Sequence, residues 1–228
     1  MLIPLNGTAL ATLASARTAR NVEVIVADGG STDRTRMVAQ AAGAIVLEVS
    51  GGRAAQLNAG AAEASAKRLL FLHADTHLPP GYEAAIQGTL DDPAVALGAF
   101  RFRTDWDTPT MRFMMRVANL RSKFLGMPYG DQGLFVERRI FEQAGGFPLR
   151  YIMEDYEFVR QLRRLGRIVT IDSHITTSAR RWQALGPWRV WLKNQLMIVC
   201  HTMGVSDKRL ASIYRRSARQ ANKCESGK

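Results

Sequence analysis

The chain of 228 residues is poor in cysteine, with only Cys200 and Cys224. That excludes a disulfide-built secreted scaffold and a cysteine-based zinc cluster, and both residues read as free thiols in a reducing compartment. Long hydrophobic runs are missing too. The longest purely apolar stretch near the C-terminus is Leu196-Met197-Ile198-Val199-Cys200, against the ~20 residues a spanning helix needs. The start, Met1-Leu2-Ile3-Pro4, has no basic stretch followed by an apolar one, so no signal peptide is expected. Neither G-x-G-x-x-G nor G-x-x-x-x-G-K-[ST] occurs, so the dinucleotide fingerprint and the Walker loop are both absent. No repeat, low-complexity block or linker interrupts the chain.

What is present is an ordinary globular composition, 46% hydrophobic and 22% charged, with length enough for a substantial core. Charge is uneven. Residues 1–172 hold 20 Lys/Arg and 18 Asp/Glu, whereas residues 173–228 hold 11 and 2, so most of the net +11 belongs to the C-terminal quarter. A local basic face fits a polyanionic surface, and equally a solvated tail.

The N-terminal half alternates apolar strand-like runs (22–27, 44–49, 68–73 and 95–102) with helical stretches at 33–42, 53–66 and 81–90. Strand, glycine turn, helix, strand predicts βαβ units and a mostly parallel sheet flanked by helices. Ser31 and Asp33 are natural helix caps after Gly29-Gly30. Beyond 105 the pattern predicts helices at 109–124, 138–144, 154–165, 186–203 and 207–218, with strands ending near 137 and over 168–171. One catalytic domain over 1–185, with halves 1–105 and 106–185, and a basic helical extension over 186–228 is the economical division.

Ligands of open α/β sheets sit beyond the carboxyl ends of the strands. The loops there are Asp28-Gly29-Gly30-Ser31-Thr32-Asp33, Ser50-Gly51-Gly52-Arg53 and His73-Ala74-Asp75-Thr76, all polar or glycine-rich. Asp28 either accepts hydrogen bonds from a nucleotide's hydroxyls or caps its own turn. His73, Asp75 and His77, at i, i+2 and i+4, share one face if the strand persists, though Leu78-Pro79-Pro80 places His77 in a loop. Asp75 beside a diphosphate suits Mg²⁺ or Mn²⁺, and the histidines would suit a borderline metal such as zinc. Glu154-Asp155 opens a helix, where carboxylates are favoured by the dipole or serve as a general base. Gly130-Asp131-Gln132-Gly133 is a compact polar turn. Arg180-Arg181-Trp182 combines phosphate-binding guanidiniums with a stacking ring, or forms an exposed basic loop.

Taken in order, these segments resemble glycosyltransferase family 2, with the GT-A fold. Ile3-Pro4-Leu5-Asn6 looks like that family's first strand end, residues 24–33 like its strand-plus-DGSTD segment, and residues 53–60 like its Ala-Arg-Asn-x-Gly region. Phe71–Thr76 stands at its DxD motif, Glu154-Asp155 at its ED motif, and Arg181-Trp182 at the end of its QxxRW motif. The wording LHADT, YGDQG, GGFP, MEDYEF and SARRW looks most like the radical-SAM/selenodomain-associated transferase 2 subgroup. Three departures stand out: His73 replaces the first DxD carboxylate, Ser178 replaces the QxxRW glutamine, and little strand precedes Pro4, as a truncated first strand or a late start would leave it.

The resemblance implies inverting, metal-assisted transfer of a sugar from a nucleoside diphosphate sugar, expected to be a UDP-sugar, to a hydroxyl acceptor. It implies nucleotide-sugar contacts from Pro4, Asn6, Asp28, Gly29, Ser31, Arg53, Asp75 and Arg181. It makes Asp155 the base beside Glu154, and gives Asp131, Gln132 and Trp182 to the acceptor. Asp75, with His73 as a further candidate, would hold Mg²⁺ or Mn²⁺. The stripe of Trp188, Trp191, Leu192, Leu196 and Val199 with its basic flank (186–219) fits an anionic membrane surface and a lipid-linked acceptor, or packing against the catalytic domain. A cytoplasmic enzyme, peripheral on the inner membrane face, is expected. Rival readings are a metal hydrolase or nucleotidyltransferase using His73, Asp75 and His77, a basic nucleic-acid binder over 180–219, and a fold member that binds without transferring. Nucleic acid is not expected as a partner, because Trp188 and Trp191 fall on the apolar stripe.

Overall fold

The computed structural model describes residues 8–18 and 21–214; Pro4, Asn6, Cys224 and residues 215–219 of the basic helix lie outside the described residues. In chain order the elements are α1 (Thr8–Ala16), β1 (Ile25–Asp28), α2 (Thr35–Ala41), β2 (Ile45–Glu48), α3 (Arg53–Glu63), β3 (Arg68–Phe71), β4 (Thr76–His77), α4 (Tyr82–Leu90) and β5 (Val95–Thr104). Then come α5 (Pro109–Leu125), a 3₁₀ turn (Gly130–Gln132), β6 (Leu134–Glu137), α6 (Arg138–Gln143), α7 (Glu154–Leu162), β7 (Arg167–Thr177), α8 (Arg180–Leu185) and α9 (Pro187–Thr202). A further helix starts at residue 207. Among the described residues no helix is long and apolar enough to cross a membrane.

β1 and β2 form a two-stranded parallel sheet, and the remaining strands form a second sheet in the order β3-β6-β5-β7-β4. β5 and β7 are parallel, whereas β6 is antiparallel to β3 and β5, and β4 to β7. The sheet is therefore mixed rather than mostly parallel. The chain reverses within a short turn between β3 and β4, whereas β6, although antiparallel to β5, is reached through the long connection that contains α5.

β5 is the middle strand and is buried along nearly all its length. On one face Phe100, Phe135 and Ile175 pack under Tyr82, Ile86 and Leu90 of α4. On the other, Leu97, Leu134 and Val136 meet Phe141 of α6 and Phe158 and Leu162 of α7. Gly98 lies opposite Phe135, and a Cβ there would overlap the ring. The β1–β2 sheet has a much smaller core of Val26, Ala39 and Ala44. α5 is delimited as capping rules require: Thr108 Oγ1 accepts from the Met111 amide at 3.2 Å, Pro109 opens the first turn, and Gly126 closes the helix at φ 58°. β7 runs well past the expected 168–171. Residues 180–182 open α8 rather than forming the exposed loop that was one of two alternatives for them, and α1 had no periodicity strong enough to announce it.

Candidate active site

The site lies where the reversal after β3, the start of α3, the 3₁₀ turn and the start of α7 meet. α1 holds the reversal in place: Thr12 Oγ1 donates to the Ala74 carbonyl at 2.8 Å, and Ser15 Oγ accepts from the Leu78 amide at 3.1 Å. The Thr76 amide closes the turn onto the His73 carbonyl at 3.2 Å, and the Ser178 amide at the end of β7 donates to the Asp75 carbonyl at 3.0 Å. Because the chain turns between His73 and Thr76, residues 73, 75 and 77 do not line one strand face. His77, expected in a loop, is in β4 opposite Thr176. Among the described residues no group of three His, Cys, Asp or Glu side chains could hold a metal.

Gly130 marks the convergence. A Cβ there would lie 2.7 Å from Arg53 Nη2, 3.0 Å from Asp155 Oδ2 and 3.2 Å from His73 Nε2, so only glycine lets these three side chains meet. Arg53 Nε pairs with Glu154 at 3.2 Å, and Arg53 Nη2 contacts His73 Nε2. A guanidinium only donates, so Nε2 of His73 is the acceptor and its proton sits on Nδ1. Burial, then the Arg53 charge, holds His73 well below the usual histidine range, hence neutral. The Asp155 carboxylate is fixed by two amides at 2.8 Å, Gly130 on Oδ2 and Tyr156 on Oδ1. Met153 precedes α7 at φ 68°, alone among the described non-glycine residues with positive φ. That costly conformation aims Glu154 and Asp155 inward from the first turn of the helix.

The carboxylates are under-compensated. Burial raises Asp75 and Glu154 against the lowering influence of Arg180 and Arg53 on the first and Arg53 on the second. Burial, opposed by Arg121 and reinforced by Asp155, pushes Asp131 up to about 6. Oδ1 of Asp75 is buried with no hydrogen-bond partner. Such a group is held at a cost that a ligand can remove.

Beside the cluster, α5, α8 and α9 enclose a cavity of about 410 Å³ whose lining includes Asp131, Tyr129, Tyr156, Trp182, Met114 and Trp191. The structure thus places Asp131 and Trp182 on the wall of one cavity. Arg121 and Tyr129 were not singled out by the sequence. The Arg121 guanidinium lies 3.4 Å from the centre of the Tyr129 ring and donates to the Met127 carbonyl at 3.1 Å. The available signal was the helical spacing of Met114, Val117, Ala118, Arg121 and Leu125, all on the cavity face of α5.

Other expected residues are placed differently. Gln132 is fully buried: its Nε2 donates to the Phe100 carbonyl at 3.0 Å, and its Oε1 accepts from the Tyr129 amide at 3.2 Å and from Arg121 at 3.3 Å. It is a strut under the turn. Arg181 donates to the Tyr214 hydroxyl and stacks on its ring at 4.6 Å, so it is Arg180 whose charge acts on Asp75. Asp28 is buried and accepts from the Ser31 amide at 3.0 Å and its hydroxyl at 2.5 Å, with Arg36 at 3.7 Å. That is the turn-capping alternative. Gly29 abuts Gln56, one helical turn after Arg53, so α3 joins this turn to the cluster.

A comparison with curated protein sequences found no match. Solved structures do resemble the chain. A mannosyltransferase from Pyrobaculum calidifontis in complex with GDP-Man and Mn²⁺ is 19% identical over 83% of this chain and 57% of its own, with a TM-score of 0.63. Glucosyl-3-phosphoglycerate synthase from Mycobacterium tuberculosis, in complex with Mn²⁺, uridine diphosphate and glucosyl-3-phosphoglycerate, is 20% identical over 73% and 65%, with a TM-score of 0.54. S. aureus TarS in complex with UDP-GlcNAc is 16% identical over 74% and 53%, with a TM-score of 0.55. The chain spans less than two thirds of each, and these likenesses show the fold, GT-A. The family model of glycosyl transferase family 2 matches residues 7–155, from before α1 to the fixed carboxylate of Asp155. The chain belongs to glycosyl transferase family 2.

Proposed function

We propose that the chain transfers a sugar from a nucleoside diphosphate sugar to a hydroxyl acceptor, inverting the anomeric carbon, with Asp155 as general base. The observation that carries this reading is the convergence over Gly130. There a carboxylate fixed by two amides meets a guanidinium and His73 beside a cavity large enough for an acceptor, and the turn that follows His73 carries the buried, unpartnered Asp75 oxygen. The amides orient Asp155 while leaving lone pairs for the acceptor proton. As that proton passes to Asp155, the acceptor oxygen attacks C1 from the face opposite the leaving diphosphate. The bond from C1 to the diphosphate oxygen breaks, and one displacement inverts the centre. Arg53 and Arg180 offset the growing charge on the leaving group.

A divalent cation fits the residues present through one oxygen ligand. Asp75 Oδ1 has no other partner and would hold Mg²⁺ or Mn²⁺, with diphosphate oxygens completing the set. His73, in the place of a second ligand, has its acceptor nitrogen on Arg53. When bound, the cation would supply charge neutralisation for the leaving diphosphate. The similar proteins solved with Mn²⁺ and with GDP-Man, UDP or UDP-GlcNAc support this donor class. The hydrolase reading loses support because residues 73, 75 and 77 do not share a face.

The test is calorimetry with uridine and guanosine diphosphates, with and without Mn²⁺, on the native chain and Asp75→Asn. Micromolar-class binding that weakens at least tenfold without metal and in the variant is expected. Binding of neither nucleotide would sink the donor site, and binding indifferent to both Mn²⁺ and Asp75 would sink the metal assignment.

A further inference from the structure

The flanks of the cavity carry chemistry that the transfer itself does not use. On α5, the cavity-facing positions Met114, Val117 and Arg121 are followed around the helix by an exposed apolar stripe of Phe113, Leu120 and Phe124, then by exposed Arg112, Arg116 and Lys123. At about 100° per residue these are three adjacent strips. α9 repeats the order: Trp191, Asn194 and Ile198 face the cavity, Trp188, Leu192, Leu196 and Val199 are exposed, and exposed Arg189 lies beyond, next to half-buried Lys193, whose Nζ donates to the Tyr214 carbonyl at 3.2 Å. Phe124 is 72% and Leu192 57% exposed, far from core values. The Phe113 and Trp188 rings lie 6.0 Å apart, so the two stripes join across the helix pair.

We infer that α5 and α9 form one docking surface for an anionic lipid bilayer, with the cavity between them opening against the lipid. Charge selects this occupant. Neither helix contains an acidic residue, and Asp107 offsets Arg112 alone, at 3.0 Å. A second copy of the chain would bring like charges face to face across a two-fold contact. The aromatic rings lie within the apolar strips and are not interleaved with the basic residues, so they do not form a basic stacking groove for nucleic-acid bases. Aliphatic and aromatic side chains bordered by basic ones match the boundary between acyl chains and anionic headgroups. The consequence for substrate, which rests on reading the cavity as the acceptor site, is that the acceptor hydroxyl arrives on a membrane-anchored molecule whose apolar part lies along the stripes.

The test is co-sedimentation of the full chain with vesicles of phosphatidylcholine alone and with about one third phosphatidylglycerol. Binding to the anionic vesicles only is expected. Phe124→Ser with Leu192→Ser should weaken it about tenfold. Arg116→Gln with Lys123→Gln should weaken it about 30-fold, at about fivefold for each charge. Binding unchanged in both double variants would overturn the surface, as would equal binding to neutral vesicles. A dimer in solution that the apolar pair of substitutions dissociates would assign the face to a second copy instead. Nucleoside diphosphate calorimetry on the same variants separates the two readings: donor binding retained while vesicle binding is lost leaves the transferase reading intact, and loss of donor binding in the native chain leaves the docking result standing.

Discussion

At the end of β1, Asp28 is buried among donors: the Ser31 amide and hydroxyl bind it, the Gly30 amide and Arg36 assist, and together they outweigh burial and hold its carboxyl below the usual range. Past β3, in the 3₁₀ turn and at the start of α7, Asp75, Asp131 and Glu154 are buried with too few donors, and all three are raised. Both regions are acidic loops at strand or helix ends, and the sequence presents them alike. The difference is where the compensating groups come from. Asp28 finds its hydrogen-bond donors within three residues and Arg36 in the helix that follows, so its turn is complete without a ligand. The second group depends on Arg53, Arg121 and Arg180 from three other elements and remains short of positive charge, which is the condition for taking up a cation or a proton.

The sharpest way to break this contrast is at Asp155. Asp155→Asn keeps the shape and removes the proposed base, so transfer should fall about 1,000-fold while nucleoside diphosphate affinity changes less than threefold. A transfer rate within tenfold of native would move the base elsewhere. Arg53→Met should come next. It leaves Glu154 buried beside Asp155 without its cation, lowering stability to urea by about 3 kcal/mol at pH 8 and by about 1 kcal/mol at pH 5, where the raised carboxyls take up protons. A loss independent of pH would mean that the cluster is not under-compensated.

Asp131 supplies a test with a defined sign. Its folded value of about 6 lies above the ordinary 3.8, so the native state holds the proton longer than the unfolded chain. Its contribution to stability is therefore fully present below about pH 4 and lost as pH rises through 6. Asp131→Asn should remove that loss, gaining about 2 kcal/mol at pH 7 after allowance for partial exposure and nothing at pH 4. A stability profile that keeps its slope between pH 4 and 6 in the variant would contradict the assignment. The smallest effect separates the two aspartates by stability. Asp28→Asn should cost about 1 kcal/mol above pH 4, fading below it as the native carboxylate is protonated, whereas Asp75→Asn should cost nothing. Equal losses would erase the distinction between a turn former and a ligand.

Much of the machinery was legible because it is local. Asp28-Gly29-Gly30-Ser31 is a turn whose bonds lie within three residues, Thr108-Pro109 is a helix start, and Glu154-Asp155 opens α7, all written in adjacent letters. The partners of Gln132 and Arg181 were not legible for the opposite reason. Whether a glutamine props the Phe100 carbonyl, or an arginine meets Tyr214 rather than a diphosphate, depends on chain more than thirty residues away. The family match likewise ends at Asp155, so α5 and the 3₁₀ turn fall within it while α8 and α9 lie beyond it.

Alternating period and glycine turns determined by themselves that strands and helices would alternate, and that polar loops would follow β1, β2 and β3, because both follow from local backbone preferences and the burial of one face. The tertiary structure decided the rest: that β4 and β6 run antiparallel, that residues 73, 75 and 77 part company at a turn, and that Arg53, His73 and Asp155 meet over a glycine 25 residues before Asp155. A side chain's charge state and partners depend on what packs around it, and packing joins residues that the sequence keeps far apart.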